Sequence, residues 1–490
     1  MIKKHKKDLI IFIVIFLFSI IMCNEFIKMH YTTDTYKIID DGYMNYARNW
    51  SMKDGRIFTC MILVIAYLLR IPIQILNYIL TILSIIVSCI SVMNIIKIIC
   101  KIRPVKTKSQ EICIIVISYL TIFNFMYIET LYFLENIILS MSVLLYIIAI
   151  KNILFESKKY IIKSILLCIL GILCYQGTIS FFLVFAVSML IIKENIISQK
   201  FIKKFLLIGF ISVIAVLLDM IVVKEMCKLL NLEQNRLQLN NVINNCGYIL
   251  KNMKDILIFT CGIFPKYMFI IGVLLLDVIS LIYSIHNKTF EYIGNVILIN
   301  ISTIVFSFIP FTATLSSFDC ARMYVGLGSL EMIIIIYQYC DTDIFQNKDH
   351  KKICWCIEIF IFISLIINSA NYIIQINYVQ YKNKLEKNYC MRIEKFLKDN
   401  SVKINYASII PVKGKMNEIY FDEIPIKNKM TINEIKGYQS AISGLNVNTG
   451  LKLKEKKYIS NKENVEITYI PGTSTIIIDD VLIMQVFIWW

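Results

Sequence analysis

Long apolar runs broken by short basic or mixed-polar segments fill residues 9–373, and the pattern changes beyond them. A helix that crosses a bilayer needs about 20 predominantly apolar residues. The runs 9–28, 75–99, 205–223, 267–285, 291–311, 323–340 and 353–373 each meet that length and predict one crossing. Two stretches, 112–150 and 161–192, are too long for one helix and carry polar residues midway. Each reads as a hairpin, turning near Tyr127-Ile128-Glu129 and near Gln176-Gly177, which brings the total to about eleven crossings. Residues 57–70 are apolar but short, between Arg56 and Arg70-Ile71-Pro72.

Beyond residue 373 the spacing is different. Tyr378 to Asp399 is rich in lysine and glutamate at helical spacing. Short β-like runs follow at Glu466–Ile470 and Ser474–Ile478, separated by Pro471-Gly472. The end, Val481 to Trp490, is apolar but too short to span. The expected architecture is an all-α polytopic membrane protein over residues 1–373, followed by a small extracytoplasmic α+β domain over 374–490. Trp489 and Trp490 either touch the membrane or pack in that domain's core. The basic start, Met1 to Lys7, and the apolar run after it look like a signal sequence. The exit, Asn24-Glu25-Phe26, lacks a small-x-small cleavage site, so a retained first helix is expected.

Composition agrees with the pattern. Hydrophobic residues make up 57% of the chain and charged residues 18%, too little charge for a soluble chain of 490 residues. The net charge of +16 raises nucleic acid as a partner, but the lysines fall mainly between apolar segments, where anionic lipid and topology account for them. They also orient the chain. If 57–70 spans, the lysines around 100–110, 151–163, 193–204 and 341–352 face outward and the positive-inside rule inverts at every turn. With 57–70 as an interfacial helix, all of them become cytoplasmic. The N-terminus is then inside, and the loops 29–56, 129–136, 224–254 and 312–322 are outside with the tail. The 15 cysteines show no pair at zinc spacing and read as small core hydrophobes.

Candidate chemistry gathers on the outer side. The loop 29–56 holds Asp34, Asp40, Asp41, Tyr43, Tyr46, Arg48, Trp50, Asp54 and Arg56. Such a loop suits glycosyl transfer: a carboxylate takes the proton of an acceptor hydroxyl, an arginine forks onto a phosphate leaving group, and aromatic faces stack on sugar. The competing reading is a solvated acidic loop with interfacial aromatics. Glu129, Glu135, Tyr175, Gln176, Asp319 and Arg322 lie on the same side, although Asp319 and Arg322 are spaced to pair with each other. The four histidines offer no metal or nucleophile-activating spacing, and neither a Walker loop nor GxGxxG occurs.

These residues carry a resemblance. Asp34-Thr35-Tyr36 through Asp40-Asp41-Gly42-Tyr43, then Arg48-Asn49-Trp50 and Asp54-Gly55-Arg56, resembles the first outer loop of the GtrII-like bacterial membrane glucosyltransferases. Cys174-Tyr175-Gln176-Gly177 and Ala321-Arg322-Met323 are similar to further stretches of that family. The resemblance implies a GT-C architecture over 1–373, a polyprenyl-phosphate-linked hexose donor, usually glucose, and a cell-surface glycan acceptor. It implies a catalytic base at Asp40 or Asp41, and Arg56 and Arg322 at the donor phosphate. Tyr43, Trp50, Glu129, Gln176 and Asp319 complete the expected substrate site. No cofactor is specified, and a divalent metal is left open. Two other classes compete: a polysaccharide flippase or polymerase, which should line its spans with charge, and a membrane sensor with the tail as ligand domain.

Overall fold

The computed structural model describes residues 2–232, 242–257, 267–287, 290–309, 311, 321–341, 351–412, 441–455, 467–470, 475–478 and 481–487. Eight helices are long and apolar enough to cross a membrane. They are α1 (Ile2–Ile27), α5 (Ile73–Ile102), α7 (Asn136–Phe155), α9 (Ile179–Lys193), α10 (Gln199–Leu229), α12 (Met268–Asn287), α13 (Phe290–Phe308) and α16 (Lys351–Asp399). For α9 the apolar stretch includes the preceding turn, from Gln176. Shorter apolar helices fill the bundle between them: α6 (Lys108–Ile122), α8 (Tyr160–Cys174), α14 (Val325–Gly328) and α15 (Leu330–Asp341).

Local sequence explains the boundaries. Pro72 precedes α5, and Arg103 is extended before Pro104, where a helix must stop. Thr107 and Gln110 close a reciprocal cap on α6, and the Ser198 hydroxyl caps α10. The chain turns at both expected places, through 3-10 segments at Tyr127–Tyr132 and Gln176–Thr178. Hydroxyls and small residues draw the helices together, as packing in lipid requires. Ser140 on α7 bonds Ser84 on α5 and the Tyr127 hydroxyl, each at 2.6 Å. Gly171 lets α8 rest on the Tyr146 ring, where a Cβ would lie 2.6 Å from a ring carbon.

The two ends of the bundle differ. One gathers lysine: Lys204 bonds Glu194 at 3.0 Å and Glu156 at 2.8 Å, and Lys101 and Lys193 both lie over the Phe155 ring. Arg103 reaches the Cys340 carbonyl at the same end. The other end holds the first loop: α2 (Thr33–Asp41), α3 (Tyr43–Tyr46), a π-helical turn (Ala47–Met52) and α4 (Ile57–Leu68). At 12 residues α4 is only about 18 Å long, too short to cross. Its outer face, with Met61, Ile65 and Leu68, is exposed and apolar. The interval 224–254 is not the open loop expected: α10 runs on to Leu229, and α11 (Val242–Leu257) follows.

The tail departs from expectation in one respect. The last crossing and the lysine-rich helix are one element, the 49-residue α16, about 73 Å long. It ends in a domain holding α17 (Ala441–Thr449) and strands β1 (Tyr406–Val412), β2 (Lys454–Glu455), β3 (Ile467–Tyr469), β4 (Thr475–Ile478) and β5 (Val481–Phe487). The sheet order is β2-β1-β5-β4-β3, parallel across β1 and antiparallel across β3-β4-β5. The expected β-runs are thus β3 and β4, and the apolar end supplies β5. Pro471-Gly472, Trp489 and Trp490 lie outside the described residues. Leu445, Ile393 and Leu482 form the domain's core, and Tyr36 of α2 is buried among them.

Candidate functional site

Four segments far apart in sequence meet at the first-loop end of the bundle. The turn Ala321–Met323 presents Arg322 to Glu129 of the α6–α7 turn. Glu129 accepts from the Arg322 backbone N–H at 3.1 Å and from Nη1 at 2.9 Å. Arg322 Nε donates to the Tyr175 hydroxyl at 3.1 Å, and the guanidinium lies 4.0 Å from the Phe133 ring centre. Arg322 is 5% exposed and Glu129 is not exposed at all.

A second guanidinium flanks the same tyrosine. Arg56 lies 5.5 Å from the Tyr175 ring centre. It is bonded to Glu135 at the start of α7 and stands 3.7 Å from Asp54. Beside it, Gln176 Nε2 donates to the Gly55 carbonyl at 2.9 Å, so the α8–α9 turn is tied to the first loop. Gly55 has φ +75°, and a Cβ there would sit 2.5 Å from Gln176 Nε2. Only glycine occupies that position without strain. Burial disfavours the Arg56 cation, but Glu135, Asp54, Tyr175 and Asp34 outweigh it and raise its pKa.

Asp34 is the half-buried carboxylate on the loop side of this cluster. Its field reaches Arg56, Glu135 and Tyr46; the Tyr46 phenol is pushed up by burial first, then by Asp34 and Glu135. The Thr32 side chain, bonded to the Thr35 N–H, starts α2 in the phase that points Asp34 inward. Lys37, one turn on, sits 3.4 Å from the centre of the Trp50 ring. Burial lowers its pKa against the pull of Asp34, Asp41, Asp54 and Glu455.

Asp40 and Asp41, where the family resemblance puts the base, stand elsewhere. Both are exposed. Asp40 accepts from Asn446 of α17 at 3.1 and 3.3 Å and so clamps the C-terminal domain. Asp41 shares the face of Asp34 but lies two turns on, beside Trp50; burial and then Asp40 raise its pKa. The physical reason is helical phase: Ile38 is in the core formed with Tyr46 and Leu63, and Asp34, four residues before it, faces the same way. Asp40, two residues after Ile38, faces away.

The other expected residues divide. Glu129, Gln176, Arg56 and Arg322 come together. Trp50 lies with Lys37 at the outer edge, and the Tyr43 hydroxyl donates to the Ile71 carbonyl at 2.9 Å, fastening the loop to the start of α5. Asp319 lies outside the described residues; Arg322, spaced to pair with it, pairs with Glu129. Sequence reasoning named Asp34, Asp54, Glu135 and Tyr175 without assigning them to the site, and passed over Lys37. The signal for Asp34 was its distance from Ile38. Among the described residues no three His, Cys, Asp or Glu lie close enough together to hold a metal ion. His30 sets both ring nitrogens 3.0 Å from carbonyl oxygens, of Lys28 and Tyr132.

The fold defines a class, a polytopic helical membrane protein. No family model, no curated protein and no solved structure matches the chain.

Proposed function

We propose that the chain is a membrane glycosyltransferase that moves a hexose, glucose in the first instance, from a polyprenyl-phosphate donor to a cell-surface glycan. The observation that supports this best is the meeting of a first-loop carboxylate, Asp34, with the Arg56–Glu135 and Arg322–Glu129 pairs at one end of the bundle. In this reading the lysine-rich end is cytoplasmic, by the positive-inside rule. The site, α4 and the C-terminal domain are then on the outer face of the plasma membrane, with about eleven crossings.

Asp34 is the base. It takes the proton of the acceptor hydroxyl as that oxygen bonds the anomeric carbon; the bond from that carbon to the phosphate oxygen breaks, and polyprenyl phosphate leaves. Both guanidiniums are held by carboxylates, so they stay fixed and charged and spend no motion on reaching the developing phosphate charge. The exposed apolar face of α4 gives the donor's lipid tail a path along the interface.

The test is transfer from radiolabelled polyprenyl-phosphate-glucose in membranes holding wild type, Asp34→Asn, Asp40→Asn or Asp41→Asn. Transfer by wild type, lost about 100-fold or more only in Asp34→Asn, is the expected result. Loss in Asp40→Asn or Asp41→Asn with Asp34→Asn active would move the base. Absence of transfer by wild type across polyprenyl-linked hexoses would remove the transferase reading.

A further inference from the structure

Asp219 is a carboxylate inside the apolar helix α10, and it is 1% exposed. Neither of its oxygens has a hydrogen-bond partner within 3.5 Å, and the Gln176 amide reaches it only more loosely. An unpaired ionisable side chain at membrane depth is costly, so its presence calls for a compensating role. Its neighbours Leu217 and Ile221 are exposed apolar residues, so Asp219 lies on the inner side of a helix whose outer side faces lipid.

What lies on that inner side is the proposed site. Val223, one turn beyond Asp219, is the residue a Gly55 Cβ would meet at 3.0 Å, and Cys227, two turns beyond, donates to the Met52 carbonyl at 3.6 Å. The half-buried Gln176 amide, bonded to Gly55, is the polar group that faces Asp219. One stripe of α10 therefore backs Asp54-Gly55-Arg56, with two carboxylate oxygens unfilled beneath.

We propose that Asp219, with Gln176 beside it, is the subsite for the hydroxyls of the hexose carried by the lipid-linked donor. Hydroxyl groups supply the donors that the carboxylate lacks, and bonds of hydroxyls to a buried carboxylate are stronger than neutral ones. A hard divalent cation takes six or more oxygen ligands, and among the described residues no three His, Cys, Asp or Glu lie close enough together to hold one. The assignment rests on the glycosyl-transfer reading and adds the sugar-holding group to it.

The experiment measures binding of polyprenyl-phosphate-glucose and of polyprenyl phosphate alone to purified protein in nanodiscs, together with thermal stability. Wild type, Asp219→Asn and Asp219→Leu are compared. In wild type the sugar-bearing lipid should bind more tightly than the bare phosphate lipid. Both variants should weaken the sugar-bearing lipid about 10- to 100-fold and leave the bare lipid unchanged. Asp219→Leu should also melt higher than wild type, because a buried carboxyl group without a close hydrogen-bond partner has been exchanged for an apolar side chain. If both variants bind the two lipids as wild type does, the subsite is refuted and the transferase reading stands. If Asp219→Leu melts lower and Asp219→Asn binds normally, Asp219 is structural. If wild type binds neither lipid, the transferase reading and the subsite fall together.

Discussion

Breaking the Glu129–Arg322 pair is the sharpest test of how the site is assembled. Glu129 accepts two bonds from Arg322, at 3.1 and 2.9 Å, and both side chains are almost fully buried. Replacing Glu129 by Leu removes the carboxylate that the guanidinium is bonded to and both of the bonds it accepts. Truncating one member of such a pair costs about 3–5 kcal/mol, because the other charge stays buried and uncompensated. With an unfolding entropy of about 2.1 cal/mol/K per residue, the melting temperature should fall by roughly 3–5 °C. Arg322→Met should cost a similar amount for the converse reason. The double variant Glu129→Leu/Arg322→Met strands no charge, so its loss should be smaller than the sum by about 2 kcal/mol or more. The assay is thermal unfolding of the four proteins in nanodiscs, read as a double-mutant cycle. Losses that add to within about 0.5 kcal/mol would show that the two residues do not act as a pair and would refute the argument.

Two further outcomes follow from local geometry. Gly55→Ala places a Cβ at a left-handed backbone position and against Gln176 and Val223, so it should cost about 1–3 kcal/mol; an unchanged melting temperature would contradict the close approach. Asp41 has a raised folded-state pKa, first from burial and then from Asp40, so its favourable contribution is complete below the ordinary aspartate range and is lost as pH rises through the folded value. Asp41→Asn should therefore melt above wild type near neutral pH, and the gap should close below about pH 3, checked by thermal unfolding across pH.

Much of the bundle was legible because lipid imposes a long, simple periodicity. The chain turns where Tyr127-Ile128-Glu129 and Gln176-Gly177 interrupt apolar runs, and the brevity of 57–70 matches the 12 residues of α4. The continuity of α16 was not legible, since its amino-terminal part is written for lipid and its carboxy-terminal part for water, and a change of solvent reads as a change of element. Within the site, residue type pointed to the segments that meet there and not to which aspartate faces the arginines. Asp34, Asp40 and Asp41 are chemically alike, and what separates them is rotation about an axis whose phase is set by Ile38 and by the C-terminal domain packed on Tyr36. The Arg322–Glu129 pair is a contact between residues 193 positions apart, which no local pattern announces.

The unbroken α16 also acts as a ruler. Asn383 exchanges two bonds with the Tyr31 backbone, and Glu386 accepts from the Tyr36 hydroxyl, so two points along the helix are pinned to the first loop. Each residue inserted between the bilayer and those points would lift the C-terminal domain by about 1.5 Å and turn it by about 100°. Seven inserted residues would restore the angle closely while raising the domain by roughly 10 Å. The height at which the domain stands over the first loop is therefore written in the length of one helix, and chain length and domain reach cannot vary independently.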